Sequence, residues 1–134
     1  MTTFLLLRHA HSTANDSGIL AGQIPGISLS AIGKRQSTQL LRALADQKID
    51  RIVSSPMDRC LETISDIATA RRKRIFIDRA FIEVNYGTWS GRALKELRRE
   101  RAWKSIQKSP STFTFPQGES FTSAARRIER GLST

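Results

Sequence analysis

The chain places short continuous apolar runs between segments whose apolar residues recur at helical spacing, a pattern that predicts strands alternating with helices. Residues 4–7, Phe-Leu-Leu-Leu, form a run that ends in polar residues, as in a strand buried on both faces of a parallel sheet. Two more short strands are predicted over residues 49–54, where Pro56 stops the run, and over residues 74–77. These three runs would supply the strands of one sheet.

Helices are predicted between and after these runs, separated by segments rich in glycine, proline and serine. Ser30 can cap a helix that runs to about residue 46, and residues 94–106 form a basic amphipathic segment. A last helix begins after Ser120 or Thr122, either of which could cap it. The predicted helices cover residues 31–46, 57–70, 94–106 and Phe121–Leu132, and the predicted loops cover residues 16–30, 83–91 and 109–120.

Strands alternating with helices predict an α/β fold of three layers, α/β/α, in which helices flank a mainly parallel sheet. A chain of 134 residues fits one domain, residues 1–134, since this length buries roughly two thirds of the surface that the unfolded chain exposes. The apolar run at residues 4–7 is too short for a signal sequence or a membrane span. We therefore expect a cytoplasmic protein with no membrane partner.

The charge of the chain favours anionic partners. There are 22 Lys and Arg residues against 12 Asp and Glu, which gives a net charge of +10. Phosphorylated metabolites and nucleic acid are both anionic partners that this charge would attract. Much of the excess lies in two clusters, residues 71–74 and 98–104, and such clusters are usually solvated faces. Nucleic acid is therefore the less favoured partner.

Candidate chemistry follows two of the predicted strands. Arg8 and His9 come directly after the first strand, and residues 54–56, Ser-Ser-Pro, precede Arg59 after the second. Ligands bind beyond the carboxyl ends of parallel strands, and guanidinium groups match phosphate oxygens in geometry. Two arginines and a histidine in one crevice would therefore form an anion site. Taken alone, Arg59 is better explained as a surface residue in the first turn of a helix.

A metal site is not predicted. His11 lies two residues after His9, and a His-x-His pair on a strand can bind metal. The chain holds only these 2 histidines, and no cysteine or carboxylate cluster completes a zinc site. The single cysteine, Cys60, cannot form an internal disulfide and is better explained as a small buried hydrophobic residue.

Five motifs follow one another over nearly the whole chain. They read LLLRHAHSTAN at residues 5–15, LAGQIPGISLSAIGKRQ at 20–36, VSSPMDRCLETI at 53–64, EVNYGTWSGRALKEL at 83–97 and FPQGES at 115–120. In this order they resemble the histidine phosphatase superfamily, in its phosphoglycerate mutase-like branch. Each motif alone is a weak signal, but their succession is hard to obtain by chance. The resemblance implies the three-layer fold that the apolar pattern predicts.

The resemblance also implies roles for individual residues. His9 would be the nucleophile that takes the phosphoryl group, and Glu83 would donate a proton to the leaving alcohol. The phosphate oxygens would be held by Arg8, Asn15 and Arg59. Phosphoryl transfer depends mainly on positioning and charge stabilisation, so an imidazole aimed at phosphorus inside an arginine cradle needs no metal and no cofactor.

For several residues of these motifs, the sequence allows two interpretations. Ser12 is either a hydroxyl beside the phosphate or the cap of the following turn. His11 is expected near the mouth of the site, on the substrate side. Glu83 would be a surface carboxylate were it not for its place before YGTWSG. Glu119 and Ser120 are better explained by the start of the last helix than by ligand contact.

Two features depart from the family pattern. Ala10 stands where the family has glycine, and its methyl group would cost about 1 kcal/mol if the backbone there required a positive φ. The family's second catalytic histidine lies on a later strand, between the first two strands of the sheet, and neither His9 nor His11 matches it. We therefore expect the chain to be the N-terminal portion of a longer protein, or a truncated product.

The function that these implications favour is a metal-independent phosphomonoester hydrolase that acts on a phosphorylated small molecule through a phosphohistidine. A phosphoglycerate mutase-type phosphomutase is less favoured, because it must protect the phosphohistidine from water and make a second transfer. The competing class is an inactive scaffold that binds anions or nucleic acid. Residues 71–74 are the best support for that class.

Overall fold

Two short parallel strands and six helices make up most of the regular structure in the computed structural model, which describes residues 1–133. The strands are β1 (Ile52–Ser54) and β2 (Ile75–Ile77). The helices are α1 (Thr13–Ser17), α2 (Ala31–Ala43), α3 (Asp58–Ala70), α4 (Leu94–Leu97), α5 (Arg101–Lys108) and α6 (Phe121–Leu132). Single 3₁₀ turns lie at Arg79–Phe81, Gly87–Trp89 and Pro110–Thr112.

The α/β class is confirmed, with helices flanking a parallel sheet. Ile52 on β1 lies opposite Ile75 on β2, and α3 is the connection between the two strands. Parallel strands need such a crossover, because a tight turn cannot return the chain in the same direction. The core of this region consists of Ile52, Ile67 and Ala68, against which partly buried residues of α2 and α3 pack.

A second core is built from aromatic side chains of the C-terminal part of the chain. Trp89, Leu97 and Phe115 are its buried members. The Phe115 ring lies 5.5 Å from Trp89 and 4.9 Å from Tyr86, in edge-to-face contacts. This core therefore joins the loop that follows Glu83 to α4 and to the segment before α6.

The sequence correctly predicts two helix starts. Ser30 caps α2, since its hydroxyl accepts a hydrogen bond from the Gly33 amide, at 3.1 Å. Of the two candidates for the last helix, Ser120 is the cap and accepts from the Ser123 amide, at 3.0 Å. Both bonds satisfy amides that have no partner inside the helix.

The prediction of a buried strand over residues 4–7 is wrong. This segment belongs to no strand, and its four apolar side chains are exposed, from 42% for Leu7 to 80% for Leu6. A strand requires a neighbour that supplies ladder hydrogen bonds. Within residues 1–133, no strand or isolated bridge pairs with this segment.

The single helix predicted over residues 94–106 is divided into α4 and α5. Glu100 caps α5 with extended backbone dihedral angles, φ −67° and ψ 141°, which interrupt the helix. Its carboxylate accepts a hydrogen bond from the Arg92 guanidinium at 2.6 Å. This ion pair joins the residue at the interruption to Arg92, and helical periodicity alone does not reveal it. Within residues 1–133, no helix is long and apolar enough to cross a membrane.

Candidate functional site

Arg59 lies in the first turn of α3 and is only 2% exposed. Its Nη2 donates to the carbonyl oxygen of Gly22 at 2.9 Å and lies 3.8 Å from a carboxylate oxygen of Glu83. Its Nε and Nη1 are buried and have no partner. Buried donors are costly when they are unsatisfied, and a guanidinium matches the oxygens of a phosphate. Arg59 is thus a buried guanidinium with two donors that lack a partner, which contradicts its interpretation as a surface residue.

His9 is partly buried at the end of the exposed N-terminal segment. Its Nδ1 lies 2.7 Å from the carbonyl oxygen of Ala10. Because a carbonyl oxygen only accepts, this contact assigns the proton to Nδ1. In the neutral ring, Nε2 then carries the lone pair and is the nitrogen available for attack on an electrophile.

Thr63 connects the backbone beside His9 to α3. The Ala10 amide donates to the Thr63 hydroxyl at 2.9 Å, and that hydroxyl donates to the carbonyl oxygen of Arg59 at 2.6 Å. Ala10 does not lie in the left-handed region, since Arg72 and Gln117 are the only residues other than glycine with positive φ within residues 1–133. The methyl group of Ala10 therefore causes no strain from a positive φ.

Glu83 is about one third exposed, with a side-chain exposure of 34%. Its Oε1 accepts from the Val84 amide at 2.8 Å and lies 3.4 Å from the Tyr86 hydroxyl. Burial, followed by the nearby Glu83 charge, raises the pKa of Tyr86 far above its ordinary value. The Tyr86 hydroxyl therefore stays protonated near neutral pH. The side chain of Gln23 donates to the Glu83 carbonyl oxygen at 2.7 Å.

Ser12 and Asn15 form a capping box at the start of α1. The Ser12 hydroxyl is buried and accepts from the Asn15 amide, while Oδ1 of Asn15 accepts from the Ser12 amide at 2.8 Å. Of the two interpretations for Ser12, the cap is the one that the structure shows. Since Oδ1 of Asn15 is occupied, its Nδ2 is the group left to contact a ligand.

His11 and Arg8 lie on either side of His9. Nδ1 of His11 is 2.8 Å from the Ser30 hydroxyl and 3.7 Å from a carboxylate oxygen of Asp16. Arg8 is exposed and lines an open cleft with His9. Neither observation tests a substrate contact, so the predicted roles of both residues stay predictions.

The predicted site residues are therefore only partly brought together. Arg59 and Glu83 are neighbours, and Ser12 and Asn15 are neighbours. Within residues 1–133, no hydrogen bond or ion pair joins His9 to Arg59 or Glu83, and their connection runs through Thr63. The cleft beside Arg8 and His9, about 320 Å³ in volume, is lined by neither Arg59 nor Glu83.

Sequence reasoning missed Thr63, Gln23 and Arg127. Thr63 lies four residues after Arg59, so helical spacing could have placed its hydroxyl on the Arg59 carbonyl. Gln23 and Arg127 contact the Glu83 carbonyl from 60 and 44 residues away. No local pattern reveals contacts of that separation.

Within residues 1–133, no three His, Cys, Asp or Glu side chains cluster in a way that could hold a metal ion. Cys60 is half-buried, and burial raises the pKa of its thiol. Near neutral pH it is therefore a neutral side chain next to Arg59.

The fold and the site together define an α/β protein with a buried arginine, Arg59, shortly after strand β1. Two nitrogens of its guanidinium lack a partner, and the carboxylate of Glu83 lies beside it. The sequence of residues 4–134 matches the family model of the histidine phosphatase superfamily, branch 1. The chain belongs to this superfamily.

Relatives and solved structures agree with this membership. Phosphoserine phosphatase 1 of Hydrogenobacter thermophilus is 31% identical over 96% of this chain and 62% of its own length. A Proteus mirabilis protein named as a probable phosphoglycerate mutase is 30% identical over 100% of this chain and 63% of its own. The alpha-ribazole phosphatase structure from Shigella flexneri is 27% identical, with a TM-score of 0.80, over 95% of this chain and 63% of that one. The chain thus spans less than two thirds of the length of each.

Proposed function

We propose that the chain carries the nucleophile, a phosphate-binding arginine and the proton donor of a metal-independent phosphomonoester hydrolase that acts on a phosphorylated small molecule. The observation that carries this proposal is Arg59, a buried guanidinium with two unpaired nitrogens, 3.8 Å from Glu83. A phosphate ester supplies oxygen acceptors for those donors and a leaving oxygen for the carboxyl group. The phosphatase names of two relatives support the reaction class.

The reaction proceeds in two transfers. Nε2 of His9 attacks phosphorus, the nitrogen–phosphorus bond forms, and the bond to the ester oxygen breaks while Glu83 protonates that oxygen. Water then attacks the phosphohistidine, and the Glu83 carboxylate accepts a proton from the water as inorganic phosphate leaves. The hydrogen bond from Nδ1 to the Ala10 carbonyl supports this assignment, because it leaves Nε2 as the nucleophilic nitrogen.

The remaining phosphate contacts are assigned to Arg8 and Asn15. Arg8 is exposed and precedes the nucleophile, so its guanidinium reaches a phosphate from the solvent side. Asn15 contributes Nδ2, since its Oδ1 is occupied by Ser12. We assign His11 to the substrate side, and its contacts with Ser30 and Asp16 hold the ring in place.

Phosphoryl trapping tests the proposal. The chain is incubated with 4-nitrophenyl phosphate and a metal chelator, quenched, and examined by mass spectrometry for phosphate that is labile to acid and stable to base. We expect the label on His9, its loss in His9→Ala, and its retention in the matched variant His11→Ala. Turnover should be unaffected by the chelator.

Four outcomes would contradict the proposal. Turnover that the chelator abolishes would exclude a metal-independent mechanism, and turnover that survives in His9→Ala would exclude the nucleophile. Binding of DNA that weakens steeply with salt, without turnover of any phosphomonoester, would instead favour a nucleic-acid-binding scaffold. Transfer of the label to an added alcohol in preference to water would show that the chain acts as a phosphomutase and not as a hydrolase.

A further inference from the structure

We propose that Arg127 and Glu119 are positioning residues that hold the loop of Glu83, so that its carboxyl group faces the leaving oxygen of the substrate. This inference rests on the proposed function, because it takes Glu83 as the proton donor. It assigns a task to two charged side chains that the proposed reaction does not otherwise use. Arg127 comes from α6, which follows Glu83 by about 40 residues in the chain.

The Arg127 guanidinium binds backbone on the N-terminal side of the loop. Its Nη1 donates to the Ala80 carbonyl at 2.7 Å, and its Nη2 lies 3.2 Å from the Glu83 carbonyl. Its side chain is 15% exposed. One rigid, planar group thus spans the 3₁₀ turn before Glu83 and the backbone of Glu83 itself.

Glu119 binds the backbone on the C-terminal side of the loop. Its Oε1 accepts from the Asn85 amide at 2.9 Å, and its own amide donates to the Asn85 carbonyl at 2.9 Å. A side chain at Gly118 would overlap that same carbonyl oxygen, so glycine is required for the two segments to approach. Asn85, two residues after Glu83, is therefore held at both its donor and its acceptor.

The two positioning residues also bind each other. Nη2 of Arg127 lies 2.7 Å from Oε1 of Glu119, and Nε lies 3.3 Å from Oε2, a two-point contact between a guanidinium and a carboxylate. Burial raises the pKa of Glu119, but the bonds from Arg127 and Asn85 outweigh it and hold that pKa below its ordinary value. The ion pair is thus formed near neutral pH.

This arrangement predicts a defect that depends on the leaving group. An ester with a strongly acidic leaving group, such as 4-nitrophenyl phosphate, departs without protonation, whereas an alkyl phosphate needs the proton from Glu83. A misplaced Glu83 therefore slows the first transfer selectively for alkyl phosphates, whereas any effect on hydrolysis of the phosphohistidine is common to both substrates and does not enter kcat/KM. A general loss of folded protein would slow both substrates by the same factor.

The experiment compares kcat/KM for an alkyl phosphate with kcat/KM for 4-nitrophenyl phosphate, because kcat/KM reports the first transfer alone. In Arg127→Met we expect the ratio to fall at least about tenfold, because general acid catalysis as a whole contributes about 10² to 10⁴ and a displaced acid loses part of it. Arg127→Lys should recover part of the ratio, and Arg126→Met, an exposed neighbour on α6, should leave it unchanged. In Glu83→Gln the ratio should already be low, and adding Arg127→Met should lower it no further.

Amide hydrogen exchange provides a second readout that does not depend on turnover. In Arg127→Met, the amides of Val84 and Asn85 should exchange at least about tenfold faster, since local opening governs their exchange. The amide of Leu44, which donates to the Leu40 carbonyl, should not change. Equal losses on both substrates, or unchanged exchange at Asn85, would overturn the positioning role. Absence of phosphate on His9 in the unsubstituted chain would instead refute the proposed function, and exchange alone would then decide whether the loop is held.

Discussion

At the scale of single residues, the unpaired nitrogens of Arg59 predict that the folded chain is stabilised by phosphate. Orthophosphate would satisfy Nε and Nη1, which are buried without a partner. A ligand that binds only the folded state adds about 2.7 kcal/mol to the free energy of unfolding at one hundred times its Kd. We expect the Tm to rise with phosphate concentration, and this response to be absent in Arg59→Met.

Thermal unfolding with and without phosphate measures this effect. Arg35→Met removes an exposed arginine of α2 and serves as the matched control, in which the phosphate response should persist. An equal response to chloride at the same ionic strength would show that general screening of the +10 charge, not a phosphate contact at Arg59, causes the rise.

Glu119 predicts a pH dependence of stability at the same scale. Its pKa is lowered in the folded state by Arg127 and Asn85, which outweigh its burial. A carboxyl group of this kind stabilises the fold above its unfolded pKa, near 4.3, and this contribution is lost as pH falls through the folded pKa. We expect Glu119→Gln to unfold at a lower Tm than the unsubstituted chain at pH 7, and the difference to shrink below about pH 4.

The control for this prediction is Glu129→Gln, an exposed carboxylate on α6. Its Tm should follow that of the unsubstituted chain across the whole pH range. A difference between Glu119→Gln and the unsubstituted chain that stays constant down to pH 2 would contradict the linkage, because it would show that packing and not charge is lost.

At the scale of elements, apolar spacing and capping residues predict α2, α3, α6, β1 and β2, because those features are local in the chain. They fail where the outcome depends on distant partners. Residues 4–7 have the composition of a buried strand, but the described residues supply no ladder for them. The motif around Arg59 singled out a side chain that is buried with two unpaired donors, whereas Arg127 has no local signal, since its contact at Ala80 is 47 residues away.

Gly33 on α2 lies directly against the backbone of His11. A side chain there would overlap the carbonyl oxygen of His11. Alanine gains about 1 kcal/mol over glycine in helix propensity, but overpacking of this kind costs about 1 to 3 kcal/mol or more. The overlap falls on backbone that also accepts the Ser30 amide at 3.0 Å, so it cannot relax without breaking that bond.

We therefore expect Gly33→Ala to lower the free energy of unfolding by about 2 kcal/mol, despite the better helix former. Urea unfolding followed by circular dichroism measures the change. Lys34→Ala, at the exposed neighbouring position, should be close to neutral. A Gly33→Ala variant that is as stable as the unsubstituted chain would show that α2 shifts away from His11 at little cost.

At the scale of the whole molecule, two surface properties have opposite effects on association between copies of the chain. Phe4, Leu5, Leu6 and Leu7 are consecutive exposed apolar side chains, with exposures of 55%, 52%, 80% and 42%. Contiguous exposed apolar surface favours association. The net charge of +10 favours repulsion between copies. Salt screens the repulsion, with a Debye length of about 8 Å at 0.15 M, and leaves the apolar contact intact.

Association of the chain should therefore increase with salt, and Leu6→Lys should reduce it. Leu6 is the most exposed of the four residues, so its replacement should change the free energy of unfolding by no more than about 0.5 kcal/mol. Sedimentation velocity over a range of protein and salt concentrations measures the association. Ile32→Lys adds the same charge at an exposed apolar side chain of α2, and it should reduce association less. Association that weakens as salt rises, or that both variants reduce equally, would show that charge and not the apolar segment at residues 4–7 brings the copies together.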